Sequence, residues 1–101
     1  MEIVYSVTVK PNLEIQEEYL HWLKNEHIQE VVDTGCFDDY RFYKILAENE
    51  TDGFSYNIQY ITTDMGRYFD YINDFAPSMR QKGREKFGDK FVAFRTVLKE
   101  A

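Results

Sequence analysis

Two histidines, one cysteine and one tryptophan are the scarcest chemistry-bearing residues in this 101-residue chain, and all four precede Phe37. His27 is the strongest candidate for catalysis. It follows Lys24-Asn25-Glu26, where the helical pattern falters, and an imidazole at such a corner can act as a general acid or base near neutral pH. The competing reading is a histidine that packs at a helix corner and gives one hydrogen bond. His21 lies among Glu17, Glu18, Lys24 and Asn25 on an outward face and reads as solvated. The two imidazoles sit about 240° apart around a helix, so one turn cannot present both to a metal. With one cysteine and no His/Asp/Glu cluster at ligand spacing, no metal site is expected. His27 alone is a thin basis for holding haem, and no cofactor is expected.

Trp22 falls at the edge of a helical stripe, where it can stack on a flat ligand or cover the core edge or a dimer seam. Cys36 follows a Gly35 turn with no base or cation nearby in the pattern, and reads as a small buried hydrophobe rather than a nucleophile. Arg95 lies on the last strand on the same side as Phe91, Ala93 and Val97. There its guanidinium can hold a carboxylate or enolate, or make a salt bridge with an acidic side chain of this chain or of a partner. No phosphate-binding glycine loop, nucleophile elbow or paired-cysteine motif occurs, and Phe87-Gly88-Asp89-Lys90 reads as a helix end.

Positioning these groups requires a fold, and hydrophobic period supplies one. Residues 2–10 alternate, with Ile3, Tyr5, Val7 and Val9 on one side and Val4, Ser6 and Thr8 on the other, as in a half-buried strand. Pro11-Asn12 ends it, and Asn12 is a plausible N-cap, with Glu14, Glu17 and Glu18 favoured by the dipole of the helix that follows. A stripe of Leu13, Ile15, Tyr19, Leu20, Leu23, His27 and Val31 describes that helix. Continued unbroken, it would set Glu26 and Glu30 beside the apolar stripe, so a break is expected near Asn25–His27. A short helix over Ile28–Asp33 should follow, closed by Gly35. Cys36 to Ala47 reads as a long second strand, and residues 48–53 as a polar hairpin loop. The third strand places Phe54, Tyr56, Ile58 and Tyr60 on one face and Ser55, Asn57 and Gln59 on the other.

Thr63 or Asp64 caps a second helix whose stripe runs Met65, Tyr68, Phe69, Ile72, Phe75, Ala76, Met79, Gly83 and Phe87. The stripe stays in phase across Pro77, so the proline should kink the helix near Asn73–Pro77 without ending it. Residues Phe91 to Leu98 form the last strand. Strand, helix, strand, strand, helix, strand is the α+β, ferredoxin-like βαββαβ arrangement of one domain over residues 1–101. It predicts an antiparallel four-stranded sheet with both helices on one face and the first and third strands central.

That leaves one sheet face open, to meet water or another sheet. Val4, Ser6, Thr8, Ser55, Asn57 and Gln59 are assigned to it, with Arg41, Tyr43, Phe91, Ala93 and Arg95 as contributors from the outer strands. Aromatic residues make up 17% of the chain, although a domain of this size buries only roughly two thirds of its unfolded surface. Some of the aromatic surface should therefore meet a partner, most simply a second copy. A formal net charge of −6 argues against nucleic acid and against an anionic membrane. Cations nevertheless gather late, at Arg80, Lys82, Arg84, Lys86, Lys90, Arg95 and Lys99. They either complement a helix C-terminus or form a docking patch for an anion. With no internal disulfide available, no leader-like N-terminus and no long apolar run, cytoplasmic residence is the expectation.

The run Phe87-Gly88-Asp89-Lys90-Phe91-Val92-Ala93-Phe94-Arg95-Thr96, with Glu26-His27-Ile28, Thr34-Gly35 and Phe75-Ala76-Pro77, resembles domain-of-unknown-function family 4286, a bacterial family. The likeness covers nearly the whole chain, and departs where the family's proline after His-Ile is Gln29 here. The family looks like a branch of the dimeric α/β-barrel superfamily, and the resemblance implies a homodimer with two sheets packed face to face around a lumen. That superfamily includes cofactor-independent monooxygenases, isomerases and haem-handling proteins, so the fold alone selects no activity. The expectation is a homodimer that binds a small, partly aromatic or anionic molecule in the lumen through Trp22, His27, Asn57 and Arg95. An enzymatic version uses His27 as base and Arg95 to stabilise negative charge in an oxygenation or isomerisation. The alternative is a structural or protein-interaction dimer with a filled lumen.

Overall fold

The first strand, β1, runs Ile3–Pro11 and alternates as its sequence requires, with Ile3, Tyr5 and Val9 buried. The computed structural model describes residues 1–46 and 51–101. The remaining strands are β2 (Asp39–Lys44), β3 (Tyr56–Thr62) and β4 (Phe91–Lys99). They form one antiparallel sheet in the order β2-β3-β1-β4, the ferredoxin-like order with the first and third strands central. Both helices lie on the face that carries Tyr5, Val9, Ile58 and Tyr60, and these side chains join Tyr19, Leu23, Ile28, Val31, Tyr71 and Met79 in one core.

The expected α/β barrel is not what forms. The sheet stops at β2 on one side and β4 on the other and does not close. Closure would need the edge strands to pair, and here each is paired on one side only. The second strand is also shorter than expected: Cys36 and Phe37 are buried ahead of it, and Ala47 lies outside the described residues. So does part of the hairpin loop expected over 48–53. The third strand begins at Tyr56, leaving Phe54 and Ser55 in the approach to it.

The first helix does not break where its stripe falters. It opens with a 3-10 turn at Leu13–Ile15 and continues as α-helix over Gln16–Trp22. A π-helical turn at Leu23–His27 then leads into α-helix over Ile28–Asp33. In that turn the amide of Ile28 donates to the carbonyl of Leu23, five residues back. The extra residue resets the phase of the stripe, which lets Leu23, Ile28 and Val31 all be buried while Glu26 stays exposed. Asn12 does not cap with its side chain, whereas its carbonyl accepts from the amide of Ile15 at 3.1 Å. Gly35, at φ +76°, ends the helix in the left-handed conformation that glycine adopts without cost.

The second helix repeats the device. Asp64 caps it, its Oδ1 accepting from the amide of Gly66 at 2.8 Å. A helical segment over Met65–Asp70 leads into a π turn at Tyr71–Phe75, then into Ala76–Phe87. Pro77 sits in the first turn of that last segment, where a missing amide costs least. The helix takes in an extra residue and continues past the proline, but the expected stripe does not stay in phase: Tyr71 is buried and Phe69 is 54% exposed. Among the described residues, no helix is long and apolar enough to cross a membrane.

Pairing register settles which way each outer strand faces. Val7 pairs with Arg95, Val9 with Ala93 and Pro11 with Phe91, so these β4 residues share the helix side of the sheet. That overturns their expected place on the open face. Instead Val92, Phe94, Thr96 and Leu98 lie there, beside Ser6, Thr8, Asn57, Gln59, Arg41 and Tyr43.

Candidate functional site

Between the helix face of the sheet and the two helices lies a cavity of about 450 Å³. Its floor is built by strand alternation, from Tyr5, Val7, Ile58 and Tyr60. The first helix supplies Tyr19, Trp22, Leu23 and His27, and the second supplies Tyr71, Met79, Arg80, Gly83 and Arg84. The outer strand β4 adds Phe91, Ala93 and Arg95. Both π turns bring a residue to this wall, His27 from one and Tyr71 from the other. A π turn commonly marks a functional position, because it aims a side chain that a regular helix would point elsewhere.

His27 stacks on Trp22 with ring centroids 4.6 Å apart and planes inclined by 23°. Its Nδ1 is buried and, among the described residues, has no hydrogen-bond partner. Burial moves the imidazole down from 6.5 to about 4; Glu30 pulls it back up, while Arg95 and Lys82 push it lower. It is therefore neutral across the physiological range and does not titrate near neutrality. A neutral ring with a free nitrogen can accept a hydrogen bond from a bound hydroxyl. The phenols of Tyr19, Tyr60 and Tyr71 are raised above their ordinary range, chiefly by burial, so they remain neutral donors. Arg95 acts on Tyr19, Tyr71 and His27 as a nearby positive charge. Among the described residues it makes no ion pair.

Three of the four residues singled out as ligand contacts, Trp22, His27 and Arg95, thus line one cavity inside a single chain. Asn57 does not. It lies on the opposite face, where its Nδ2 donates to Ser6 Oγ at 2.9 Å and Thr8 Oγ1 at 3.1 Å. Cys36 is buried, and His21 is exposed with its Nδ1 3.1 Å from Asn25 Nδ2. Among the described residues, no group of three or more His, Cys, Asp or Glu side chains could hold a metal ion.

Sequence reasoning named Arg80 and Arg84 only within the late cluster of cations, as helix-end charge or an anion-docking patch, and did not place them beside Trp22 and His27. A signal for them existed: Arg80 falls four residues after Ala76 and three before Gly83, both on the buried stripe, and Arg84 is one turn further on. Two arginines flanking a buried glycine on an apolar stripe are costly inside a packed core, and they mark the mouth of a space.

The fold has solved relatives. A protein of the ethyl tert-butyl ether d (ethd) family from Bacillus halodurans superposes with a TM-score of 0.69 at 11% identity, over 98% of this chain and 99% of that one. SnoaB from Streptomyces nogalater, described as a cofactor-independent oxygenase, gives 0.66 at 12% identity over 97% and 92%. A protein from Jannaschia described as dimeric, ferredoxin-like and of unknown function gives 0.60 at 12% over 95% and 98%. At such identities the likeness concerns the fold. A comparison with curated proteins finds none that matches. The model of the family described as domain of unknown function (DUF4286) matches residues 2–101, nearly the full length, and the chain belongs to that family.

Proposed function

We propose that the cavity between sheet and helices binds a small, flat, partly aromatic molecule. The observation that carries this is a space of about 450 Å³ with Trp22, His27 and Arg95 on its wall, within the size range of ligand pockets and with few polar groups on apolar surroundings. A ring entering it finds aromatic walls on several sides. The free Nδ1 of His27 accepts a hydrogen bond from a hydroxyl of the ligand, and Arg95 faces the negative charge that forms when that hydroxyl ionises. The pair orients the hydroxyl and stabilises its anion, while the proton leaves to water, because an imidazole moved down to about 4 does not retain it. A structural relative described as a cofactor-independent oxygenase makes oxygenation or isomerisation of an enol or phenol the chemistry to test, with His27 as the hydrogen-bond acceptor and Arg95 as the electrostatic partner.

We also infer that a second copy of the chain covers the open sheet face. Val92, Phe94 and Leu98 are 52%, 69% and 48% exposed on that face, and a strip of large apolar side chains on one sheet surface favours burial against a partner. A relative of the same fold is described as dimeric. Native mass spectrometry of protein purified from its own host tests both parts. Dimer mass with an additional bound small molecule is the expected result, and Phe94→Asp should give the monomer mass with the small molecule retained. A wild-type monomer would refute the dimer. A bare protein whose Trp22 emission no small aromatic compound perturbs would refute the ligand.

A further inference from the structure

We propose that Arg80, Arg84 and Arg95 form an anchor for an acidic group on the ligand, and that the ligand is an aromatic carboxylate. This rests on the proposed binding role of the cavity and names the class of molecule it takes. The chain carries eighteen Asp and Glu against twelve Lys and Arg, so carboxylate partners are plentiful. Four cations find them: Lys10 pairs with Asp52 and Arg67 with Asp38, each at 2.8 Å. Lys82 pairs with Glu30, and Lys90 with Glu14 at 3.6 Å. What sets Arg80, Arg84 and Arg95 apart from the other cations without an ion pair is that they line one cavity together. Among the described residues none of them makes an ion pair. Among the described residues, the side-chain bond they make runs from Arg84 Nη2 to the neutral Oε1 of Gln81 at 3.3 Å. The Nε of Arg80 is buried and, among the described residues, has no hydrogen-bond partner.

A buried guanidinium donor left unsatisfied costs free energy, so the Nε of Arg80, on a wall shared with the more exposed Arg84 and Arg95, points to a partner that arrives from outside. Among the described residues Asp89 is the one carboxylate lining the cavity, and it leaves the wall with net positive charge inside a chain whose net charge is −6. The shape of the site narrows the anion. Arg80 and Arg84 stand one helical turn apart on the second helix, and Arg95 faces the same space from β4. Planar guanidinium forks suit a planar carboxylate. Aromatic side chains, Tyr19, Trp22, Tyr71 and Phe91 among them, line the same space, so an acid group borne directly on a ring satisfies both parts of the wall at once.

The test uses 2-naphthoate and its uncharged counterpart 2-naphthamide, titrated against the full chain by calorimetry, with 2-naphthyl phosphate as a third probe. Naphthoate should bind at least about tenfold more tightly than naphthamide, as a charge-assisted pair provides. Arg80→Gln should erase that preference, weakening naphthoate at least about tenfold towards the affinity of naphthamide. Arg95→Gln should do the same, and it decides the matter if Arg80→Gln binds neither compound because its fold is damaged. Equal affinity for the two compounds overturns the anchor and leaves the cavity's binding role standing. A clear preference for the phosphate overturns the assignment to carboxylates. If none of the three probes binds, the proposed binding role falls as well.

Discussion

Acidifying the protein from pH 6.5 to pH 4 should cost the wild-type chain about 3 kcal/mol more stability than it costs His27→Gln. The unfolded imidazole titrates near 6.5, and burial has moved the folded one to about 4. Between these values the unfolded chain takes up a proton that the folded chain refuses, so stability must fall as pH drops through this window and be level above it. The shift reflects burial first, offset by Glu30 and reinforced by Arg95 and Lys82. Asp38 and Asp52 are held below the usual carboxylate range by Arg67 and Lys10. Their contributions are also lost on acidification, but they are common to both proteins and cancel in the comparison. Urea denaturation across pH 4 to 7 reads the difference directly. Parallel curves for wild type and variant would mean that the imidazole is hydrated and that the wall of the cavity is not as dry as its burial implies.

The same residue shows how far sequence alone reaches. The suspicion that His27 sits at an irregular point of the helix came from a conflict of phase, since Glu26 and Glu30 could not both flank an unbroken apolar stripe. A break and an inserted residue each relieve that conflict, and periodicity cannot tell them apart. The central strands were legible because each has one apolar side and one hydroxyl- or amide-bearing side. The last strand was not. Phe91, Ala93, Arg95 and Val97 alternate with Val92, Phe94, Thr96 and Leu98, both sets are largely apolar, and a shift of one residue exchanges their faces. Choosing the wrong set moves Arg95 to the open face, away from Trp22 and His27; the lumen between copies is what the open face and the family resemblance imply, and the cavity lined by those three residues lies within one chain. Asn57 was assigned the correct face, but its amide is occupied by Ser6 and Thr8. Closure into a barrel depends on what the edge strands pair with, and nothing in the residues of β2 or β4 encodes that.

Gly83→Leu should weaken binding of 2-naphthoate by about a hundredfold or more, because it fills the cavity from the helix side. A Cβ built on Gly83 would stand 3.4 Å from Trp22 Cη2 and 3.5 Å from Phe91 Cζ, ordinary contact with the ends of two rings on the cavity wall. Alanine is therefore accommodated. It should also raise stability by up to about 1 kcal/mol, since glycine within a helix costs roughly that much relative to alanine. The added isobutyl group of leucine has nowhere to extend except between those rings, into the space a ligand would take. The two variants thus separate packing from occupancy at one position. Alanine should keep affinity and gain melting temperature, and leucine should keep the fold and lose affinity. Had the glycine been selected only to let helix and sheet approach, both substitutions would destabilise in proportion to size, and affinity would follow stability. Affinity preserved in a folded Gly83→Leu protein would show that the ligand occupies some other surface.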